Sequence, residues 1–172
     1  SGFVDSATAT ATLNFKGEGG TRASGGVMHF ASFHLWNNGS NNMFATYGGR
    51  AGETIHFGET INSGITGDGV TIAIVDTGLE LAHEDLSDNI ITGSWDFVNA
   101  DNDPTNPALD GDHGTSVAGL AAAVGWNNKG TMGIAPEASL VGYNFLLNQS
   151  TTNQLQSWGS SPPIAVDVDI YN

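Results

Sequence analysis

Residues 70–75 (VTIAIV) form an apolar, largely β-branched run that stops at Asp76-Thr77-Gly78. A strand covered on both faces reads this way, so the run predicts a buried parallel strand with Asp76 at its end. Farther along, His113-Gly114-Thr115-Ser116 opens the Ala-rich segment 117–124 (VAGLAAAV), which predicts a helix on propensity. Residues 139–146 (SLVGYNFL) predict the next strand, 149–158 a short helix, and the alternating 166–171 (VDVDIY) a third strand. Strand, helix and strand in succession predict an α/β fold built on a parallel sheet. In such sheets, sites gather at the carboxyl ends of the strands, where Asp76 stands.

Residues 1–32 have a different texture. SATATATL alternates small residues with Thr and suits a short strand or an extended arm, and GEGGTRASGG is a glycine-rich, flexible stretch. The expected organisation is an N-terminal extension over 1–32 and a compact domain over 33–172, with no internal repeat. The 172 residues suffice for one domain with a sizeable core. No apolar run approaches the roughly 18 residues of a membrane span, and no basic-then-apolar leader opens the chain. Four Lys plus Arg stand against 18 Asp plus Glu, a net charge of −14. That balance excludes nucleic acid and anionic membrane surfaces as partners and favours bound cations. The absence of cysteine removes disulfides, thiolate catalysis and Cys-type zinc sites.

Asp76 and His113 carry the candidate chemistry. A carboxylate directly after a buried strand is held on a rigid element, and a His opening a helix is positioned equally well. Gly114 lets another backbone come close, and the helix dipole disfavours a permanent charge on the ring. A buried carboxylate on one ring nitrogen would fix the tautomer and stabilise the imidazolium formed in a transition state. Thirty-seven residues separate the two, so only the fold can bring them together.

IAIVDTGLELAHEDL, DGDHGTSVAG and GTMGIAP occur in this order. They resemble the Asp motif, the His motif and the following loop of subtilisin-like serine proteases. The resemblance runs from FHLWNNG at Phe33 to the closing VDIYN. It is nearest to the kexin and proprotein-convertase branch and its secreted bacterial relatives, because SWDFVNADNDPTNP is similar to a calcium loop of that branch. It implies the N-terminal portion of a subtilisin-like α/β domain, with Asp76 as triad acid and His113 as general base in peptide-bond hydrolysis. The Ser nucleophile and oxyanion Asn are expected beyond residue 172, in the remainder of the catalytic domain. Protein or peptide substrates are implied, along with secretion from a bacterium and a propeptide or chaperone as a further partner. Convertases carry a second acid where this chain has Thr77, and a Cys where it has Val117, so strict dibasic specificity is not expected.

The same resemblance implies Ca2+ as cofactor. It places one site at Asp85, with Asn127 and the backbone carbonyls of Val124, Lys129 and Thr131. It places a second at Asp96, Asp101 and Asp103. Hard cations take such mixtures of carboxylate, amide and carbonyl oxygens. An acidic D-x4-D-x-D run before Pro104 would repel itself without a cation, and the cation site is preferred here over a solvated face. Asp110 and Asp112 are expected to tune the potential of the cleft without coordinating anything.

Other readings compete. DTG after an apolar strand also occurs in aspartic proteases, but Leu79, the Ala-rich helix and HGT argue against that all-β class. Ser116 is three residues after His113, and its expected role is to help begin the helix rather than to attack. His83 is expected to pack rather than ligate, since HED lacks an HExxH helix. His29, His34 and His56 have no nameable partner. Trp36, Trp95, Trp126 and Trp158 are expected in the core or the cleft wall. A rival from another class is a non-catalytic calcium-stabilised fragment or pseudo-protease module.

Overall fold

The computed structural model describes residues 57–108, 112–160 and 166–172, together with Ala11–Thr12, Val27–Met28, Leu35, Arg50, Ile55 and Ile164. Within the alternating arm, β1 (Ala11–Thr12) pairs antiparallel with β2 (Val27–Met28). The glycine-rich stretch between them lies outside the described residues, as do most of FHLWNNG, Trp36, His29, His34, His56 and Asp110.

A short helix, α1 (Phe57–Asn62), was not expected from the pattern, because six residues are too few to show a period. It buries Phe57 and Ile61, one turn apart, against Leu35 and Met132. The apolar run becomes β3 (Thr71–Asp76). β4 (Trp95–Asp96) is a second unforeseen element, two residues long. The Ala-rich segment becomes α2 (His113–Ala122), which starts at the histidine itself and ends where Ala123 turns extended. β5 (Ser139–Asn144) and α3 (Thr151–Ser157) follow as expected, each shorter than its apolar pattern. The Ser150 side chain caps α3 by accepting from the Asn153 amide at 3.0 Å.

β3 and β5 run parallel over their whole length, from Thr71 opposite Ser139 to Asp76 opposite Asn144. β4 flanks β5, and β6 (Ile170–Tyr171) flanks β3, giving the order β4-β5-β3-β6. The alternation at 166–171 yields only these last two paired residues. Asp169 precedes them and holds Thr71 at both ends: its carboxylate accepts the Thr71 amide at 2.9 Å, and its own amide donates to the Thr71 carbonyl at 3.0 Å.

Each face of the sheet is covered. Ile72, Ile74 and Leu140 pack with Ala118 and Ala122 of α2, and with Leu79 and Leu86. The small residues Gly114, Ala118 and Ala122 recur every fourth position along the buried side of α2, which lets the helix lie close to the strands. On the other face, Ala73, Val141 and Tyr143 meet Phe97, Phe145 and Ile164. The Phe97 and Phe145 rings cross edge to face at 6.3 Å. The Tyr143 hydroxyl is buried with no hydrogen-bond partner among the described residues, and burial raises its pKa well above the usual phenol value. Among the described residues no helix is long and apolar enough to cross a membrane.

Candidate active site

Asp76 is the last residue of β3 and lies buried at the carboxyl edge of the sheet. α2 packs across this edge, so its first residue arrives beside the carboxylate. His113 Nδ1 stands 2.8 Å from Asp76 Oδ1. The same oxygen accepts the Thr77 amide at 2.6 Å, and the Thr77 hydroxyl accepts the Gly114 amide at 3.2 Å. Gly114 is required by the close approach: a Cβ there would fall 2.1 Å from the Gly78 carbonyl oxygen and 2.9 Å from the Asp76 Cβ. One residue on, the Thr115 hydroxyl accepts the Glu80 amide at 3.0 Å. The loop after β3 and the start of α2 are thus joined by hydrogen bonds on both sides of the acid–base pair.

The pair is asymmetric in its exposure. The Asp76 side chain is 11% exposed and that of His113 67%. With a carboxylate as acceptor, Nδ1 must carry the proton in the neutral ring, so Nε2 holds the free lone pair. An accessible imidazole oriented in this way can take a proton from a hydroxyl and return it to a leaving group, while Asp76 stabilises the intervening imidazolium. Ser116 helps to begin the helix through its backbone, its amide making the first bond of α2 back to the Asp112 carbonyl at 2.9 Å, while the cap position belongs to Asp112 and carries no side-chain cap bond.

The Peptidase S8 model, which describes the subtilase family, matches residues 67–172. The chain belongs to the subtilase family. It is 44% identical over 124 residues to an extracellular serine protease of Aeromonas sobria, covering 72% of this chain and 19% of that protein. It is 41% identical over 110 residues to kexin of Saccharomyces cerevisiae, covering 63% of this chain and 13% of that protein. The crystal structure of the Aeromonas sobria serine protease superposes with a TM-score of 0.74 at 40% identity, over 82% of this chain and 24% of that one. The same protease has also been crystallised with a chaperone. This subtilase chain therefore spans about a fifth of the length of the Aeromonas relative it matches.

Two further sets of residues were expected in this subtilase chain, and the fold treats them differently. Asp85 is buried, and the loop after α2 wraps onto it. Its Oδ1 accepts the Asn127 side-chain amide at 2.7 Å, its Oδ2 accepts the Thr131 backbone amide at 2.8 Å, and its carbonyl accepts the Val124 amide at 2.9 Å. Lys129 contributes its backbone amide to Asn127 Oδ1 at 3.0 Å and sends its ammonium to the Glu84 carbonyl at 3.3 Å, not to Asp85. Asn127, Thr131 and Val124 thus meet Asp85 directly and Lys129 joins through Asn127, all by N–H donors. The buried carboxylate and the Asn127 amide oxygen are ligands of the kind a hard cation takes.

Asp96 and Asp101 stand opposite each other in an antiparallel bridge, the Asp96 amide donating to the Asp101 carbonyl at 2.8 Å. Buried Asp96 accepts the Val98 and Asn99 amides at 2.6 and 3.1 Å on Oδ1, and the Asn99 side chain at 3.0 Å on Oδ2. Asp101 accepts the Asp103 amide at 2.9 Å, and Asp103 accepts the Thr105 amide at 3.1 Å. At Asp85 and at Asp96, Asp101 and Asp103 alike, the described residues hold no group of three His, Cys, Asp or Glu side chains. The short side chains of Asp96, Asp101 and Asp103 also satisfy the backbone two or three residues on.

His83 has a specific task beyond packing: its Nδ1 accepts the Asp85 amide at 3.2 Å, which orders the turn that presents Asp85. Trp95 is half-buried in β4 and Trp126 half-buried beside α1, but Trp158 is 58% exposed at the end of α3 rather than in a core. The contacts of Thr77 with the acid–base pair, and Asn106, escaped the sequence reading. A Thr directly after the strand-end Asp, and an Asn before Pro107, were the available signals.

Proposed function

We propose that the protein to which these residues belong is a secreted, calcium-stabilised serine endopeptidase, with Asp76 and His113 as acid and base of a Ser-His-Asp triad. The 2.8 Å contact between a buried strand-end carboxylate and an accessible helix-start imidazole carries this reading. A Ser hydroxyl from outside these 172 residues attacks the peptide carbonyl, and His113 Nε2 takes its proton. A tetrahedral oxyanion forms, held by an Asn amide also outside these residues. His113 gives the proton to the leaving amine, and an acyl-enzyme remains. Water then repeats the cycle and frees the acid product. Asp76 stays ionised throughout, holding Nδ1–H and balancing the imidazolium.

The extracellular Aeromonas sobria relative supports secretion, and its crystallised complex supports a chaperone as a partner. Calcium bound at Asp85, Asn127 and the carbonyls of Val124, Lys129 and Thr131 would neutralise the buried carboxylate and tie the loop after α2 to the turn at Asp85. Protein or peptide substrates follow from the reaction. Strict dibasic cleavage is not part of the proposal, because Thr77 and Val117 stand where convertases carry an acid and a Cys.

The test uses the whole protein, a casein substrate and a serine-directed phosphonate. Hydrolysis blocked by the phosphonate, and reduced by several orders of magnitude in His113→Ala, is the expected result, with no hydrolysis by the 172 residues alone. A His113→Ala protein with near-normal kcat would overturn the assignment, whereas no hydrolysis by the whole wild-type protein would favour a non-catalytic module.

A further inference from the structure

Thr77 is joined to the acid–base pair through two of its groups, its amide on Asp76 Oδ1 and its hydroxyl beneath the Gly114 amide. Its third group, the carbonyl, is held from the opposite side. The Asn106 side-chain amide donates to the Thr77 carbonyl at 2.9 Å. The segment that carries Asn106 lies tightly over the loop after β3. The Leu79 amide donates to the Pro104 carbonyl at 3.1 Å, and a Cβ on Gly78 would fall 2.3 Å from the Pro104 oxygen and 3.1 Å from the Asn106 Cβ. Asn106 is itself oriented, because its Oδ1 accepts the Ala108 amide at 3.1 Å. With its oxygen fixed in that turn, its NH2 group is directed to Thr77.

We propose that Asn106 is a positioning residue for the acid–base pair, acting through Thr77. The inference rests on the proposed function. The loop of residues 77–79 lies between α2 on one side and residues 104–106 on the other. The peptide plane before Thr77 is held by its amide on Asp76 Oδ1 and by the Asp76 carbonyl, which accepts the Phe145 and Leu146 amides at 3.0 and 3.1 Å. The Asn106 donor holds the plane after Thr77, so the Thr77 Cα, and with it the hydroxyl that accepts the Gly114 amide, is fixed from both neighbouring planes. Without that donor the Thr77 hydroxyl can shift, the start of α2 loses a fixed acceptor beside His113, and the ring is placed less closely against Asp76 Oδ1. Misplacement of a catalytic group by a fraction of an ångström is felt in the transition state more than in substrate binding.

The experiment compares Asn106→Ala and Asn106→Asp in the whole protein. Asp keeps the oxygen that accepts the Ala108 amide but has no N–H for Thr77, so it separates the turn from the donor. Both variants are expected to lower kcat about 10-fold, with KM changed less than twofold. In both, the downfield proton resonance of His113 Nδ1–H should shift or broaden. Wild-type kcat and an unmoved resonance in Asn106→Asp would overturn the proposal, whatever Asn106→Ala does, because the donor would then be dispensable. If Asn106→Ala does not fold, Asn106→Asp alone decides. The proton resonance reports on the pair without an activity assay, whereas a fully active His113→Ala protein would sink the triad assignment instead.

Discussion

Gly114 and Gly119 occupy the same helix and differ in what surrounds them. A methyl group at Gly114 would strike the Gly78 carbonyl and the Asp76 Cβ, atoms of backbone and backbone-proximal geometry that cannot swing aside. At Gly119 it would meet nothing within 4 Å. Gly114→Ala is therefore expected to push the start of α2 away from β3, costing about 1–3 kcal/mol as overpacking. It should also lower kcat at least about 100-fold by lengthening the Asp76–His113 contact. Gly119→Ala should leave activity alone and stabilise by about 0.5–1 kcal/mol through helix propensity. Denaturant unfolding and casein hydrolysis on both variants check the pair of expectations, and equal behaviour of the two would refute them. Asp76→Asn gives a separate test. It preserves shape but removes the charge and favours the wrong imidazole tautomer, so kcat should fall by about four orders of magnitude with the melting temperature little changed.

Strands β3 and β5 show what burial does and does not demand. Leu140 is completely buried between β3 and α2. Its replacement by Ala is expected to cost about 2–5 kcal/mol in transfer and cavity terms. Tyr143, three residues along the same strand, is equally buried but carries a hydroxyl with no partner among the described residues. Removing an unsatisfied buried polar group has no hydrogen bond to lose. Tyr143→Phe should thus be neutral or stabilising by up to about 1 kcal/mol in equilibrium unfolding. A loss larger than about 1 kcal/mol would show that the hydroxyl is satisfied after all. These elements were legible because their apolar runs are long: β3, α2 and β5 each stand where the sequence pattern puts them. α1 and β4 were not, because two to six residues carry no readable period, and tertiary contacts alone make them ordered.

Across the whole molecule, a net charge of −14 must be accommodated, and the two acidic regions do so in different ways. Asp85 is buried with a loop wrapped on it, whereas Asp101 and Asp103 are exposed and cap turns. Calcium binding to the folded form alone would raise stability by mass action, about 2.7 kcal/mol at a hundredfold excess over Kd. A chelator is accordingly expected to lower the melting temperature of the whole protein. Asp85→Asn should abolish that chelator-dependent shift, while the double variant Asp101→Asn, Asp103→Asn should retain it. Thermal melts of the three proteins with and without chelator read this directly. A wild-type melt indifferent to chelator at modest ionic strength would remove calcium from the proposal.

The chain's residues by themselves determined the parallel α/β class, the strand that ends at Asp76, the helix that opens at His113 and the need for a side-chain-free residue at Gly114. These are local matters: apolar runs, helix propensity and short motifs express them within a few neighbouring positions. Only the tertiary structure decided that the loop after α2 wraps onto buried Asp85 with N–H donors, and that Asp96 and Asp101 bridge while Asp103 caps the next turn. A carboxylate has the same composition in both settings, and which donor reaches it depends on where the backbone turns. The tertiary structure alone also revealed Asn106 against Thr77, a contact between loops 29 positions apart. A hydrogen bond between residues so far apart leaves no periodic trace in a sequence, because its geometry exists only after β3, α2 and the loop between them have packed.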